Sequence, residues 1–310
     1  MVRVPESAAA DAQAFRICRE TCRRSGGDFY LSTFFLPRQK RDATHAIFAF
    51  CSLVADSVRM DEIHAASPAP TTIGVACCST NTLDGRLDLL RQRLDHLYAS
   101  PAAVPFSIER GVEQGIAYAF GRTIQRYPVP REYLSDLVEG CRIEATVPRF
   151  ATWKSVDRYL ALRWGSVALA MAAVLGLTSS DARDRVIDLG KAVGLTKLLR
   201  DLPKRVAGGN VPLPQEDLAA CSYAERELLS GVTSDRFHDL MRLETDRARQ
   251  LFASGRLAIP WLAGDSSRLM AATVATLYGR SLDRVSRSSP ALSTWQRVRL
   301  LPVIWAAARA

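Results

Sequence analysis

The stretch DATHAIFAFCSLVADSV, residues 42–58, carries the pattern that sets the fold class of the chain. Its apolar residues recur at spacings of three and four positions, which places them on one face of an α-helix. Two further stretches, 87–98 and 189–199, repeat this pattern through leucine and valine. No alternating run of β-branched residues flanked by hairpin turns appears in the sequence. The sequence therefore predicts an all-α protein.

Length and composition indicate one globular domain. The chain has 310 residues, 48% hydrophobic and 24% charged, which excludes a disordered or collagen-like polymer. One all-helical domain of this size can bury a single large core, so 1–310 is taken as one domain. The most apolar run, VALAMAAVLGL (167–177), is about half the ~20 residues that span a bilayer, and it predicts a buried helix. The N-terminal residues carry Arg and Glu without an apolar segment, which argues against a secretory signal.

The basic excess limits the classes of partner. There are 41 Lys and Arg against 32 Asp and Glu, giving a formal net charge of +9. The charge is spread along the chain instead of forming one stripe, so no nucleic-acid partner is predicted. Two interpretations stay open, a solvated arginine-rich surface or cations that face a phosphate-bearing substrate. The seven cysteines form no paired CxxC elements, which predicts reduced thiols and a cytoplasmic location.

Proline and glycine mark the predicted helix boundaries. Pro37 opens a helix, 65–82 is typical of a loop, and Pro128 and Pro130 separate two helices. The stretch AGGNVPLP, 207–214, predicts a second long loop.

Several short motifs occur in a fixed order along the chain. They are DFYL (28–31), FLPR (35–38), AIFAFC (46–51), PRFATW (148–153), Gly165, GLTKLLRD (194–201), VPLP (211–214), ARQLF (248–252) and LY (277–278). In order and spacing, from about residue 15 to 285, this set resembles the squalene and phytoene synthase family of isoprenyl diphosphate enzymes. The resemblance implies a single-domain isoprenoid synthase fold, in which a helical bundle surrounds a central cavity.

The same resemblance implies two acidic clusters that hold magnesium ions, which in turn hold diphosphates. Diphosphate leaves as a ~−3 anion, so breaking an allylic C–O bond requires positive charge around it. Carboxylates one helical turn apart supply the oxygen ligands that hard divalent ions prefer.

The first acidic cluster is incomplete in this chain. Ala55 and Arg59 replace two of the three family aspartates, and Asp56 is the one that remains. Asp61 and Glu62 lie just beyond and could substitute only if the helix bends or ends there. An ion pair between Arg59 and Asp56, three residues apart, is the alternative role for this arginine.

The second cluster has reversed its charge. Asp201 is kept, whereas Lys204 and Arg205 stand where Glu and Asp are usual. Lys197 and Gly194 replace the Asn and Gln of the family motif.

Ser52 stands where the family has Arg, and with this loss of one charge the replacements together add about seven positive charges, comparable to about three divalent ions. We therefore expect protein cations to take over part of the work of the metal, with fewer Mg²⁺ ions than in the family. The alternative is that Lys204 and Arg205 are solvated residues after a helix end, since Pro203 cannot donate a helical hydrogen bond.

The expected site residues fall into three groups. Catalytic roles are expected for Asp56, Glu144 and Asp201, and metal ligation for Asp56, Asp61 and Asp201. Substrate binding is expected for Phe29, Phe48, Arg59, Lys197, Arg200, Lys204, Arg205 and Tyr278. The aromatic residues match positions that line the family's tunnel, where ring faces could stabilise an allylic cation. Core packing is the alternative for each aromatic ring, and a salt bridge is the alternative for Glu144.

With both acidic clusters eroded, two metal-filled diphosphate sites look hard to build. We therefore expect a prenyltransferase that moves an allylic group from a prenyl diphosphate to a small hydrophobic acceptor lacking diphosphate, plausibly an aromatic ring of the carbazole type. One alternative is head-to-head condensation of two prenyl diphosphates to squalene or phytoene. Another is a non-catalytic descendant that serves as an assembly protein. A peripheral contact with a membrane is allowed for, and the oligomeric state is left open.

Overall fold

The computed structural model describes residues 6–59, 82–101, 111–285 and 301–309, and within them the all-α prediction is confirmed. The helices are α1 (Glu6–Ser25), α2 (Asp28–Ser32), α3 (Arg38–Arg59), α4 (Leu83–Ala99), α5 (Val112–Arg126), α6 (Arg131–Thr146), α7 (Trp153–Leu160), α8 (Ser166–Leu175), α9 (Arg183–Arg200), α10 (Leu202–Ala207), α11 (Gln215–Ala220), α12 (Glu225–Leu229), α13 (Asp235–Arg256), α14 (Ser267–Val285) and α15 (Leu301–Arg309). Short 3₁₀ turns are Thr33–Phe35, Ser180–Ala182 and Ile259–Trp261, and a π turn is Ala161–Gly165.

Most predicted boundaries agree with these bounds. Pro37 immediately precedes α3, and the prolines at 128 and 130 lie between α5 and α6. The predicted loop at 65–82 lies outside the described residues except for Thr82. The hydroxyl of Thr82 accepts a hydrogen bond of 3.2 Å from the amide of Gly85, which caps the first turn of α4.

The predicted loop at 207–214 contains a short strand instead. Strand β1 (Arg149–Phe150) pairs in parallel with β2 (Val211–Pro214), in an irregular register. The amide of Val211 donates to the carbonyl of Pro148 over 3.0 Å. The prolines of β2 have no N–H to donate, so the pairing stays local.

Two groups of buried side chains form the core of the described chain. The first joins α1, α3, α4, α5, α6 and α8, and the second joins α7, α9, α13 and the strand pair. Helix α14 contributes to both groups, through Met270 in the first and Tyr278 in the second. Because α14 belongs to both, it forms one wall of the space between them.

The π turn Ala161–Gly165 interrupts an otherwise continuous helix between α7 and α8. Two glycines let neighbouring helices approach it closely. A Cβ on Gly140 of α6 would lie 2.6 Å from the backbone nitrogen of Arg163, and one on Gly194 of α9 would lie 2.3 Å from the ring of Trp164. Helices α6 and α9 therefore pack tightly against the turn and fix the directions of Arg163 and Trp164.

Among the described residues, one helical stretch is long and apolar enough to cross a membrane, Trp153–Leu175. Of its most apolar window, 61% is buried inside the protein. This burial agrees with the buried helix that the sequence predicts at 167–177.

The contact between α9 and the π turn can be tested with Gly194→Ala. The added methyl group meets the Trp164 ring, and overpacking of this kind costs about 1–3 kcal/mol, more than the ~1 kcal/mol that alanine contributes through helix propensity. We expect urea denaturation to show a lower free energy of unfolding. Gly208→Ala is the matched control, because its Cβ would meet nothing closer than 3.4 Å. A Gly194→Ala protein as stable as this control would contradict the packing.

Candidate active site

An almost wholly apolar cavity lies between the two core groups. Helices α8, α9 and α14 form most of its wall. Its lining residues are Phe29, Phe48, Trp164, Val167, Ala168, Met171, Ala172, Leu175, Val186, Leu189, Gly190, Val193, Lys197, Ala258, Ile259, Leu262, Met270, Ala271, Val274 and Tyr278. From Trp164 to Leu175 the lining follows one helical stretch, which spans roughly 16 Å. The described lining contains one charged side chain, that of Lys197.

Lys197 places its ammonium group at one end of this cavity. Its Nζ lies 4.6 Å from the centroid of the Trp164 ring. Among the residues that the structure describes, no carboxylate forms an ion pair with it. Burial, and then the charges of Arg200 and Arg163, lower the pKa of Lys197 to about 8. The ammonium is therefore a poorly compensated cation beside an apolar space.

Glu144 lies buried between two arginines next to this group. Arg163 Nε donates to one carboxylate oxygen over 3.0 Å, and Arg205 Nη2 donates to the other over 2.8 Å. Burial raises the pKa of Glu144, but the charges and hydrogen bonds of the two arginines outweigh it and lower the pKa to about 2. A carboxylate held in this way is a weak base near neutral pH. The geometry thus favours the salt-bridge alternative for Glu144.

Arg163 also contacts Trp164, with its guanidinium carbon 4.7 Å from the ring centroid. The indole of Trp164 thus lies within 5 Å of two cationic groups, those of Arg163 and Lys197. Cation–π contacts of this kind stabilise cations in places from which water is excluded. Trp164 therefore links the buried Glu144 cluster to the cavity.

Arg200 and Asp201 form an exposed ion pair near the same end of the cavity. Arg200 Nε donates to Asp201 Oδ1 over 3.0 Å, and both side chains are nearly half exposed. Tyr278 is buried beside them; burial, then the negative charge of Asp28, raises its pKa to about 12. The guanidinium of Arg200 lies close enough to Tyr278 and Asp28 for their charges to raise its own pKa, after the larger effect of Asp201. Asp201 and Arg200 thus lie at the cavity end that also holds Tyr278.

The predicted aromatic residues come together. The rings of Phe29 and Phe48 stack with centroids 5.2 Å apart and an interplanar angle of 18°. Both rings line the cavity together with Tyr278. Their position beside the cavity is what the binding role requires, and that role stays a prediction.

The first acidic cluster is placed differently from the second. Ala55, seven residues after Phe48, is buried with 3% of its surface exposed, whereas Asp56 is exposed on the next side of α3. The position of the cluster that faces the interior thus carries a methyl group. Arg59 ends α3, and the predicted ligand Asp61, with Glu62, lies outside the described residues.

The two cations of the second cluster separate. Pro203 lies in the first turn of α10, so the chain re-enters a helix directly after Asp201. Lys204 is exposed, as the solvated alternative predicts, whereas Arg205 turns inward to Glu144. The helix that follows Pro203 therefore directs one cation to solvent and one to the site.

A family model for squalene/phytoene synthases matches residues 22–303. The chain belongs to this family. It is 28% identical to the 15-cis-phytoene synthase of Synechococcus elongatus, over 97% of this chain and 95% of that protein. It is 26% identical to the chloroplastic phytoene synthase 1 of Arabidopsis thaliana, over 92% of this chain and 62% of that one.

Solved structures of family members share the fold. A dehydrosqualene synthase superposes with a TM-score of 0.81 at 21% identity, covering 96% of this chain and 98% of that one. A squalene synthase from Alicyclobacillus acidocaldarius gives 0.73 at 19% identity, covering 93% and 98%. The prediction of an isoprenoid synthase fold is therefore confirmed.

The expectation of an aromatic acceptor is wrong. The similar proteins that cover nearly the whole chain are named phytoene synthases, and the solved structures include squalene and dehydrosqualene synthases. The findings support the alternative of head-to-head condensation. The error came from reading the loss of carboxylates as the loss of one of two metal-filled diphosphate sites, although the protein cations that were expected to take over part of the metal's work also attract diphosphate.

Members of the family typically use Mg²⁺, an ion that oxygen ligands hold. The described residues contain no group of three or more His, Cys, Asp or Glu side chains that could hold a metal ion. Glu144 is bound by two guanidinium groups and Asp201 by one. Glu144 and Asp201 are thus already paired with arginines, and the described part of the chain does not fit the magnesium centre.

Sequence reasoning missed three residues of the site, namely Asp28, Arg163 and Trp164. Asp28 is the first residue of the DFYL motif, but no site role was predicted for it, although it directly precedes the cavity residue Phe29. Arg163 and Trp164 precede Gly165, the one position of that region matched to the family. An arginine beside a tryptophan ahead of this glycine was a usable signal, but the π turn that aims both side chains inward leaves no periodic pattern in a sequence.

The isolation of Lys197 predicts a pH-dependent effect on stability. The folded protein releases this proton at about pH 8, whereas a free lysine has a pKa of 10.5. The charged ammonium therefore destabilises the fold below about pH 8, and this penalty disappears as the pH rises from about 8 to 10.5. We expect Lys197→Met to raise the free energy of unfolding by about 1–3 kcal/mol near pH 6.5 and by less at pH 9.5.

Urea denaturation of both proteins at the two pH values measures this effect. Lys154→Met is the control, because Lys154 is exposed on α7. A gain in stability that is equal at both pH values, or a loss at pH 6.5, would contradict the assignment.

Proposed function

We propose that the chain catalyses the head-to-head condensation of two prenyl diphosphates to one hydrocarbon, with release of diphosphate. The observation that carries this proposal is the apolar cavity that ends at Lys197 beside the Arg200–Asp201 pair. An apolar cavity with one cationic end matches a substrate with an apolar chain and one anionic end. The names of the similar proteins, phytoene, dehydrosqualene and squalene synthases, support the same reaction.

The cationic end of the cavity stabilises the diphosphate as it leaves. When the allylic C–O bond breaks, the bonding electron pair leaves with the diphosphate and an allylic cation remains on the chain. Lys197 lies where it could hold the developing negative charge on diphosphate oxygens, and Arg200 lies near it. Fixed charges in a place from which water is excluded stabilise such a transition state more strongly than charges in water.

The aromatic residues stabilise the allylic cation that remains on the prenyl chain. The stacked rings of Phe29 and Phe48, and the ring of Tyr278, line the cavity beside this end. Their π faces attract a carbocation without attacking it. The cation is then captured by the double bond of the second prenyl chain, which forms the new C–C bond. One proton is lost as this bond closes, and the second diphosphate and a second proton leave to give the hydrocarbon.

The reaction can be tested with prenyl diphosphates alone. Purified protein is incubated with farnesyl or with geranylgeranyl diphosphate, without any acceptor, and extracts are analysed by chromatography and mass spectrometry. We expect a C30 or C40 hydrocarbon and two diphosphates released per hydrocarbon. Release of diphosphate without hydrocarbon, or no turnover of either substrate, would refute the proposal; the second result would favour a non-catalytic assembly protein.

The role of the cavity can be tested with Ala172→Phe. Ala172 lines the cavity two turns along the helix from Trp164, and it is buried. A phenyl ring there fills space that the prenyl chain needs, so we expect hydrocarbon formation to fall at least about tenfold, equivalent to about 1.4 kcal/mol of transition-state stabilisation. Ala253→Phe is the control, because Ala253 is exposed on α13. Equal activity of the two variants, both with wild-type circular dichroism, would show that the chain binds elsewhere.

A further inference from the structure

We propose that this chain binds diphosphate through Lys197 directly, in a field made positive by Arg163, Arg200 and Arg205, without a magnesium ion. The inference deepens the proposed function, because the diphosphate is the leaving group of that reaction. It concerns what holds the anion, and it can be tested without any turnover.

Places for a metal are lost at three positions of the described chain. In α3, the interior position of the acidic cluster is Ala55, which is buried. In α9, the position of the family glutamine is Gly194, and the ring of Trp164 fills the space beside it. In α10, Arg205 extends to Glu144 where the family places an acidic side chain. Each change replaces a family side chain that carries oxygen atoms with one that carries none.

Cations outnumber carboxylates around the cavity end. Four cations lie there, Arg163, Lys197, Arg200 and Arg205, against the three carboxylates Asp28, Glu144 and Asp201. Glu144 is paired with two arginines and Asp201 with Arg200, and the charge of Asp28 acts on Arg200 and Tyr278. The surplus positive charge is therefore concentrated near Lys197.

This cluster of cations is unfavourable by itself. Like charges that lie close together in a protein, away from bulk water, repel each other. Lys197 is buried near Arg200 and Arg163, and the described residues provide no carboxylate that pairs with it. A multivalent anion would relieve the repulsion among all of these groups at once. Diphosphate, with a charge of ~−3, is the anion that the proposed reaction brings to this place.

The ammonium group of Lys197 is oriented by its neighbours. Trp164 holds Nζ 4.6 Å from its ring centroid, and the packing of Gly194 against the same ring fixes the indole. The stem of Lys197 starts from α9, within the wall of the cavity. The ammonium group thus lies at the boundary between the apolar space and the cationic cluster, where the diphosphate end of a substrate belongs.

The test measures binding of inorganic pyrophosphate by isothermal titration calorimetry, with EDTA or with magnesium chloride present. We expect the wild-type protein to bind pyrophosphate in EDTA, with a Kd within about threefold of the value in magnesium. Lys197→Asn, which restores the residue of the family motif, is expected to weaken binding in EDTA at least about tenfold, the loss of one charge-assisted contact. The exposed Lys154→Asn is the control and is expected to bind as the wild type does.

Two results would overturn the proposal. One is wild-type binding that disappears in EDTA and returns with magnesium, and the other is a folded Lys197→Asn protein that binds as tightly as the wild type. The wild-type arm needs no variant, so a Lys197→Asn protein that fails to fold leaves the test intact. Pyrophosphate binding and hydrocarbon formation are separate readouts. Binding in EDTA without hydrocarbon would refute the proposed reaction alone, and hydrocarbon with binding that requires magnesium would refute this inference alone.

A double variant tests the reversed charges of the second cluster. Lys204→Glu with Arg205→Asp restores the family carboxylates after Asp201, in the first turns of α10. In variant protein whose circular dichroism matches that of the wild type, we expect pyrophosphate binding in EDTA to fall at least about tenfold, because the variant lowers the local charge by four. Magnesium is expected to restore part of that loss, since the new carboxylates are oxygen ligands one turn from Asp201. Binding in EDTA equal to that of the wild type would contradict the role of the cation cluster.

Discussion

The buried contact of Glu144 with Arg163 and Arg205 is the interaction on which the site depends. It joins three separate parts of the chain, α6, the π turn and α10. Removing one partner of a buried ion pair costs about 3–5 kcal/mol, because the other charge is left uncompensated. This contact therefore fixes the π turn, and with it Trp164, relative to the start of α10. The remaining features of the site follow from where that tryptophan lies.

The position of Trp164 in turn explains Gly194. A side chain at residue 194 would overlap the indole, so the ring and the missing side chain require each other. The ring then contacts Lys197, the residue one turn further along α9. Charge, packing and backbone geometry thus act on one small region, and a change in any of them moves the others. This is why the stability of the fold and the chemistry of its cavity are coupled at Lys197.

The sequence determined the fold in outline, and the site only in part. The period of three and four in 42–58 and 189–199 predicted α3 and α9, because apolar spacing directly reports the buried face of a helix. The same periodicity could not reveal the π turn, where one extra residue shifts the faces of α7 and α8 against each other. The charges of residues 197, 204 and 205 could be read from the sequence, but the directions in which their side chains point could not. Pro203 suggested a helix end, whereas it occupies the first turn of α10, a position that tolerates proline. Only that short helix turns Arg205 inward and leaves Lys204 in solvent.

The functional expectation failed for a related reason. It took the loss of carboxylates to leave one diphosphate site instead of two, whereas the physical requirement of each site is positive charge in a fixed place. A magnesium ion and a lysine differ in one respect that matters for turnover, because the ion can leave with the diphosphate and the lysine cannot. Release from fixed cations must break each charge-assisted hydrogen bond to the anion. A single ammonium group on a flexible stem suits such release better than a guanidinium fork, which holds two oxygens at once. The arginines of the cluster are held by Glu144 and Asp201, while the lysine is left to face the cavity. The lysine contacts the anion and the paired arginines add positive charge around it. This arrangement therefore matches the need to bind an anion firmly during bond cleavage and to release it afterwards.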